Sequence, residues 1–382
     1  MSNGYTDLSR WLDLNLSIVD KRRPTREYCF VDENKMPIST LKNLGNTCFL
    51  NSQIQALFHT VPFRQFILTG NYPLTDRLWI EWVKLIKTMC QGNFRMTPNN
   101  FYTQFAFLKQ KFDHDQEDAH EALHFLLDKF HQALVESGKK FRDLTVCYDE
   151  KGRSLINRSM IELNRTSQFS KIKELFMVQL HQRTQCLQCQ TVSDRFPVEH
   201  EMVLSMENSS KYSNLYHLFR GTCGRQTLKD DDAYHCEKCC EKCNKSNPAA
   251  ERCTKTEALQ KTTIFRYPEI LVVVLGRFKC SYDPRIQNMR YDKNEKFIDY
   301  PIVNLDLTAH SSYPETTKKL YDLYAVTCHI GSTPHGGHYY TVAKANNKWV
   351  VLNDDVYEWV KDLQQVVSSR AYILFYQRKR SY

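Results

Sequence analysis

The chain reads as an α+β protein, with helices gathered in its first part and strands towards its end. Three observations predict this. Leu50, Ile54, Leu57 and Phe58 recur at helical spacing, and so do Ala119, Leu123, Leu126, Leu127 and Phe130. Residues 322–330, 338–345 and 349–354 are instead dense in β-branched and aromatic side chains. With 382 residues, 42% of them hydrophobic, the chain can bury a sizeable core, and its length allows two to three domains.

In order along the chain, Leu8, Trp11, Leu12 and Leu16 form an apolar stripe that suits a short amphipathic helix, docked on the core or on a partner. The first core helix is expected to begin between Asn46 and Cys48, with Asn46 or Thr47 as its cap. A second should run from about Gln116 to Ala133, with Asp118 and Glu121 one turn apart on its polar side. Residues 149–170 are polar and low in large apolar side chains, which predicts a loop or insertion. The unbroken apolar run Ile270 to Phe278 predicts a buried central strand, and Ala371 to Arg378 a final one. No apolar run approaches the ~20 residues that span a bilayer, and the amino terminus lacks the apolar stretch of a secretory signal. A cytoplasmic or nuclear protein without membrane contact is expected. The net charge of +9 is spread along the chain apart from Lys21-Arg22-Arg23 and Arg378-Lys379-Arg380, without basic-aromatic interleaving, which argues against direct nucleic-acid binding.

Two distant segments carry chemistry. Cys48 falls in the first turn of its helix, where unpaired N–H groups and the helix dipole favour a thiolate and can also hold an oxyanion. A buried small hydrophobe is the competing reading for a free cysteine. His338 opens a strand in His335-Gly-Gly-His-Tyr-Tyr. If the hairpin turns at Asn346-Asn347, His338 faces Asn353 or Asp354 within one or two residues, so either side chain can hold one imidazole nitrogen while the other addresses the thiol. Gly336 and Gly337 leave room beside the ring. Fourteen cysteines suit reduced thiols, one nucleophile and a metal cluster. Cys186-x-x-Cys189 and Cys236-x-x-Cys239 supply two thiolate pairs about fifty residues apart, the tetrahedral set preferred by structural Zn2+. The overlapping pair Cys240 and Cys243 leaves the choice of knuckle open.

The stretches Asn43-x-Gly-Asn-Thr-Cys-Phe-x-Asn-Ser52, Gln116-Glu-Asp-Ala-His-Glu121, His335-Gly-Gly-His-Tyr339 and Trp349-x-x-Leu-Asn-Asp354 resemble the cysteine, Gln-Asp and histidine boxes of ubiquitin-specific proteases, in family order from about Leu41 to Tyr376. Glu117 stands where a second Gln is common, and Gly276-Arg277-Phe278 where Lys-Arg-Phe is frequent. The resemblance implies a papain-like fold with a helical thumb, a mixed-sheet palm and antiparallel fingers bearing a zinc ribbon. Residues 1–40 would be an extension and 41–382 the catalytic domain, with the thumb over about 41–140, fingers and palm over about 171–382, and the ribbon within 186–243. It further implies Cys48 as nucleophile, His338 as general base, Asn353 as its orienting residue with Asp354 beside it, and Asn43 as an oxyanion-hole side chain. Gln116, Asp118, Glu121, His335, Gly336, Gly337 and Tyr339 would line the path of the Leu-Arg-Gly-Gly tail of ubiquitin. The implied activity is thiol-dependent hydrolysis after ubiquitin's last glycine, on ubiquitin and ubiquitinated proteins. A non-catalytic ubiquitin-binding scaffold and a zinc-ribbon nucleic-acid binder are the alternatives.

Overall fold

A computed structural model of the chain describes residues 36–92, 94–109, 116–141, 150–206, 214–246, 255–285, 287–313 and 317–379. The stripe at Leu8 to Leu16 lies outside them. A helical layer, α1 (Cys48–Phe58), α2 (Val61–Thr69), α3 (Arg77–Met89), α4 (Asn99–Lys109) and α5 (Ala119–Ala133), packs on one face of an eight-stranded sheet. The main path of that sheet runs β14 (Val356–Trp359), β13 (Lys348–Asn353), β12 (Gly336–Ala345), β11 (Leu320–Thr333), β15 (Ala371–Arg378), β7 (Ile270–Gly276) and β4 (Met202–Ser205), and the eighth strand, β10 (Leu305–Asp306), pairs with β11. A second sheet joins β2 (Val192–Arg195), β1 (Val178–Cys186), β6 (Ala258–Arg266) and β5 (Arg225–Leu228), with β3 (Val198–Glu199) also paired to β1. The mixed helix and sheet content agrees with the predicted α+β class.

Alternation along β13 explains how one strand serves two cores. Val350 and Leu352 join the helical side, while Trp349 and Val351 pack on the opposite face. α1 is buried along its whole length, which is why its polar residues are bonded inward: Gln53 donates to Thr327 Oγ1 at 3.1 Å, and Ser52 O accepts from Thr341 Oγ1 at 2.7 Å. These two bonds fix the helix carrying Cys48 to β11 and β12. Capping places the other helices. Asp76 accepts from Trp79 N at 2.8 Å to start α3, and Asp118 accepts from His120 N at 2.8 Å to start α5.

Several expectations need correction. Residues 150–166, expected to be a loop or insertion, form the helix α6 (Glu150–Thr166). Its short stripe, Ile156 and Leu163, packs under Phe196 and Phe265 on one side and Phe141 and Phe169 on the other, a pattern diluted in the sequence by the charges between. The strand expected through Phe278 ends at Gly276, because Arg277 turns inward and donates to the carbonyls of Ala371 (2.5 Å), Asn294 (2.8 Å) and Lys296 (3.0 Å). The chain then turns back as a hairpin, β8 (Phe278–Asp283) and β9 (Asn288–Lys293). The Asn346-Asn347 turn forms where expected, both residues at positive φ, and pairs Thr341 with Leu352.

Candidate active site

Cys48 is the first residue of α1 and is almost fully buried. Thr47 sits at the cap position without giving a side-chain cap. Its hydroxyl instead accepts from Leu44 N at 2.9 Å and donates to Asn43 Oδ1 at 3.1 Å. Asn43 Oδ1 also accepts from Gly45 N and Thr47 N, each at 3.1 Å, so the loop before the cysteine is wound around this one oxygen. Positive φ at Gly45 and Asn46 makes that winding possible.

The imidazole arrives from the sheet. His338 Nε2 lies 2.6 Å from Asn353 Oδ1, which leaves Nδ1 for the hydrogen bond to the Cys48 thiol. That bond, aided by Asn353, raises the His338 pKa to about 9 against the opposing effect of burial. The neighbouring Asp354 does something else. At φ +49° it turns its carboxylate away from the ring, and Oδ2 accepts from Asn43 Nδ2 at 3.0 Å while Oδ1 accepts from Asn51 Nδ2 at 2.7 Å. Leu41 N donates to its carbonyl at 2.9 Å, and Tyr102 Oη donates to Asn51 Oδ1. Asp354 thus ties the loop before Cys48 to the hairpin after Asn353.

Among residues expected to line the tail path, Gln116 Nε2 lies 3.5 Å from Cys48 Sγ and donates to Gly337 O at 2.8 Å, spanning the cleft from helical layer to hairpin. Gly337, at φ +112°, admits no side chain, since a Cβ there would meet Ile330 O at 2.1 Å. His335 packs edge-on against Tyr291 of β9, with ring centroids 5.2 Å apart. Gly336 O accepts from His329 Nε2 at 3.0 Å.

Two residues of the expected tail path are buried in this structure. Tyr339 is fully buried, packs on His329 with the rings tilted by 36° and their centroids 4.4 Å apart, and donates to Pro334 O at 2.8 Å. Asp118 is the buried cap of α5, and both its oxygens accept from Tyr372 Oη, at 3.0 and 2.8 Å. Capping forces that orientation, so Asp118 and Glu121 do not share a wet face. Glu121 is exposed and lies 3.7 Å from Lys109 Nζ, which also pairs with Glu117.

Away from the cleft, the sulfurs of Cys186, Cys189, Cys236 and Cys239 all lie within 4.8 Å of one another. The pairs Cys186–Cys239 and Cys189–Cys236 are 3.8 and 3.5 Å apart. A tetrahedron with metal–sulfur bonds of ~2.3 Å has edges of ~3.8 Å, so the four fit one ion. Of the alternatives, Cys240 is engaged in a disulfide and stands outside the cluster, contrary to the expectation of reduced thiols throughout, and the side chain of Cys243 lies outside the described residues.

Residues 39–376 match the family model described as ubiquitin carboxyl-terminal hydrolase. The chain belongs to this family. Among curated relatives, Drosophila melanogaster ubiquitin carboxyl-terminal hydrolase Usp2 is 30% identical over 91% of this chain, which spans only 35% of that protein. Ubiquitin carboxyl-terminal hydrolase 12 of Salmo salar is 29% identical, with 89% of each chain covered. The fold is shared with a chain of the SAGA Ubp8/Sgf11/Sus1/Sgf73 DUB module bound to ubiquitin aldehyde, at TM-score 0.67 and 21% identity over 99% of this chain and 77% of that one. The hydrolase is therefore a thiol-dependent deubiquitinase of the ubiquitin-specific protease type.

Sequence reasoning about this hydrolase left three participants without a role. Asn51, inside the cysteine box, is a second amide on Asp354. Lys293 Nζ donates to the carbonyls of His329 (3.1 Å) and Gly331 (2.8 Å), clipping β9 to the β11–β12 turn. Glu201 Oε1 lies 2.5 Å from His124 Nδ1 and 3.3 Å from His120 Nε2 beside the start of α5. Only Asn51, by its place in the motif, carried a sequence signal.

Proposed function

We propose that Cys48 is the nucleophile, His338 the proton carrier, Asn353 the residue that orients it, and Asn43 an oxyanion donor held in place by Asp354. The observation that carries this reading is the constellation of a cysteine at a helix N-terminus, a histidine bonded to it, and an asparagine 2.6 Å from the other ring nitrogen. The Cys48 thiolate attacks the carbonyl carbon of ubiquitin's last glycine. Negative charge develops on the carbonyl oxygen, where the remaining Asn43 Nδ2–H and the first N–H groups of α1 can receive it. The C–N bond breaks as His338 gives its proton to the leaving amine. His338 then takes a proton from water, whose oxygen attacks the thioester and frees Cys48. Asn353 acts by holding the ring in the tautomer and orientation this exchange needs.

The Gly-Gly end of the tail suits the walls. Gly336 and Gly337 on one side and Gln116 on the other leave a slot for residues without side chains, and the Gln116 to Gly337 bond must open to admit it. Ubiquitin as the partner is supported by solved relatives of the same fold, one bound to monoubiquitin and one to ubiquitin aldehyde. Cys186, Cys189, Cys236 and Cys239 would hold a structural Zn2+ that ties the end of β1 to the start of α7 (Glu237–Ser246), leaving no coordination position for substrate. The deciding experiment is reaction with ubiquitin bearing a carboxy-terminal electrophile, followed by mass spectrometry. The adduct is expected on Cys48 alone, and labelling of another cysteine with Cys48 intact would refute the assignment.

A further inference from the structure

Tyr102 reaches the cysteine loop from α4, where it is buried in the core and its backbone N–H donates to Pro98 O at 3.0 Å. On the same helix Phe105 packs against Phe49 of α1 with ring centroids 6.4 Å apart, so the helix that carries Tyr102 is held against the helix that carries Cys48. The Tyr102 hydroxyl donates to Asn51 Oδ1 and is also in hydrogen-bond reach of the Thr47 side chain.

Asn51 engages every polar atom of its side chain. It is 2% exposed, its Nδ2 donates to Asp354 Oδ1 at 2.7 Å and to Lys42 O at 3.4 Å, and its Oδ1 takes the phenol proton. A carboxylate has no hydrogen to give, so Asp354 fixes which end of the amide faces it. Asn51 Oδ1 is thereby turned towards Tyr102, and a buried carbonyl oxygen in that place requires a donor. Burial and the negative charges of Asp354 and Cys48 push the Tyr102 phenol up, so the donor keeps its proton.

The same bonds continue to the oxyanion donor. Asp354 Oδ2 accepts from Asn43 Nδ2 at 3.0 Å, Asn43 Oδ1 accepts from the Thr47 hydroxyl at 3.1 Å, and Thr47 returns to Tyr102. The side chains of Tyr102, Asn51, Asp354, Asn43 and Thr47 thus close a ring beside the loop that precedes Cys48. Asn43 and Thr47 belong to that loop and Asp354 to a turn, whereas Asn51 and Tyr102 stand on packed helices. The fixed part of the ring is therefore the helical part. On the roles proposed above for Cys48 and Asn43, we propose that Tyr102 is a positioning residue for the hydrolysis. It holds Asn51, and through Asp354 the Nδ2 of Asn43, where the oxyanion develops. Its effect belongs to the step in which charge appears on the carbonyl oxygen, and leaves ubiquitin binding and thiol reactivity unchanged.

The test is Tyr102→Phe, which removes one oxygen and keeps the ring that packs in the core. The kcat for a ubiquitin carboxy-terminal fluorogenic amide should fall about three- to tenfold, the contribution of one neutral hydrogen bond, with KM and inhibition by free ubiquitin unchanged. Alkylation of Cys48 by a small haloacetamide should keep the parental rate. In an Asp354→Asn background the same substitution should cause no further loss, because residues that act through one path are not additive. Replacing Tyr102 by 4-aminophenylalanine offers an N–H donor at the same point and should restore most of the lost kcat, which a loss of packing would not allow. Titration of each preparation with ubiquitin bearing a carboxy-terminal electrophile counts the enzyme able to react, so misfolded protein does not enter kcat. Parent protein left unlabelled at Cys48 would overturn the proposed function and this role with it. With Cys48 labelled, a silent Tyr102→Phe substitution, an equal loss in haloacetamide alkylation, a full further loss in the Asp354→Asn background, or no rescue by the amine would each overturn the role of Tyr102 alone.

Discussion

Replacing Asp354 by asparagine separates two functions that lie side by side in the hairpin. Asn tolerates the left-handed backbone that Asp354 adopts at φ +49°, so the turn is kept while the charge is lost. The carboxylate accepts from two amides, Asn43 Nδ2 at 3.0 Å and Asn51 Nδ2 at 2.7 Å. An amide in its place can serve only one of them and points its own N–H groups at the other. A hydrogen bond to a charged acceptor contributes ~1.5–3 kcal/mol, and a tenfold rate change corresponds to ~1.4 kcal/mol, so releasing Asn43 should lower turnover by about 10- to 100-fold. The ceiling is the ~10²–10³-fold cost of deleting an oxyanion donor outright. Because His338 is held by Asn353 and not by Asp354, alkylation of Cys48 by a small haloacetamide should stay near the parental rate. Hydrolysis of a ubiquitin carboxy-terminal fluorogenic amide and haloacetamide alkylation are therefore measured on the same preparation. Equal losses in both would mean that Asp354 acts on the thiol and imidazole. No loss in either would remove Asp354 from the site.

Asn353→Ala should also lower turnover, but with a change in pH profile. The His338 imidazolium is held charged up to about 9, mainly by its bond to Cys48 and then by Asn353. Its pKa is raised above the ordinary value, so the stabilisation is fully present below ~6.5 and is lost as pH rises through about 9. The alkaline limb of Cys48 alkylation should consequently move to lower pH in Asn353→Ala, and an unmoved limb contradicts the orienting role. Glu201→Gln should flatten the pH dependence of the melting temperature. His124 is raised by its bond to Glu201, which contributes below ~6.5 and fades as pH rises through the raised value, while Glu201, held down to about 2, contributes throughout that range. A melting temperature that declines above neutrality equally in parent and variant would show the pair to be silent. Cys186→Ser should release the bound metal, measured by elemental analysis, and lower the melting temperature, while the folded fraction still alkylates at Cys48. Metal-free parent protein of full stability would rule out the structural ion.

What could be read in advance was whatever repeats with a period or sits in a short motif. The stripe at Leu50, Ile54, Leu57 and Phe58 located α1, and the Asn346-Asn347 turn set the β12–β13 register, which brought His338 to Asn353. What could not be read depended on partners distant in sequence. Tyr339 sits in a motif beside His338, yet its side chain faces the opposite way and its hydroxyl is spent on Pro334 O. Asp118 looked like one half of an acidic face because helical spacing says nothing about where a helix starts. Once α5 begins at Ala119, the preceding carboxylate must turn back to cap it, and Tyr372, 254 residues away, closes over both oxygens. The helix at Glu150–Thr166 was missed for a related reason, since its two anchors acquire meaning only from aromatic residues on other elements.

Asn353 and Asp354 show how a single backbone torsion divides the labour of adjacent residues. Asn353 is the last residue of β13 and keeps the strand's alternation, so its side chain leaves the sheet on the side of His338. If Asp354 continued the strand it would fall on the other face from Asn353, the one shared by Val350 and Leu352. Positive φ breaks the alternation at that residue and swings the carboxylate towards Asn43 and Asn51, next to the cysteine loop. The imidazole therefore meets a neutral oxygen while the oxyanion donor meets a charged one. The residue able to pull hardest on a proton is thereby kept off the ring that must release its proton to the leaving amine, and its charge is used to hold a donor that never titrates.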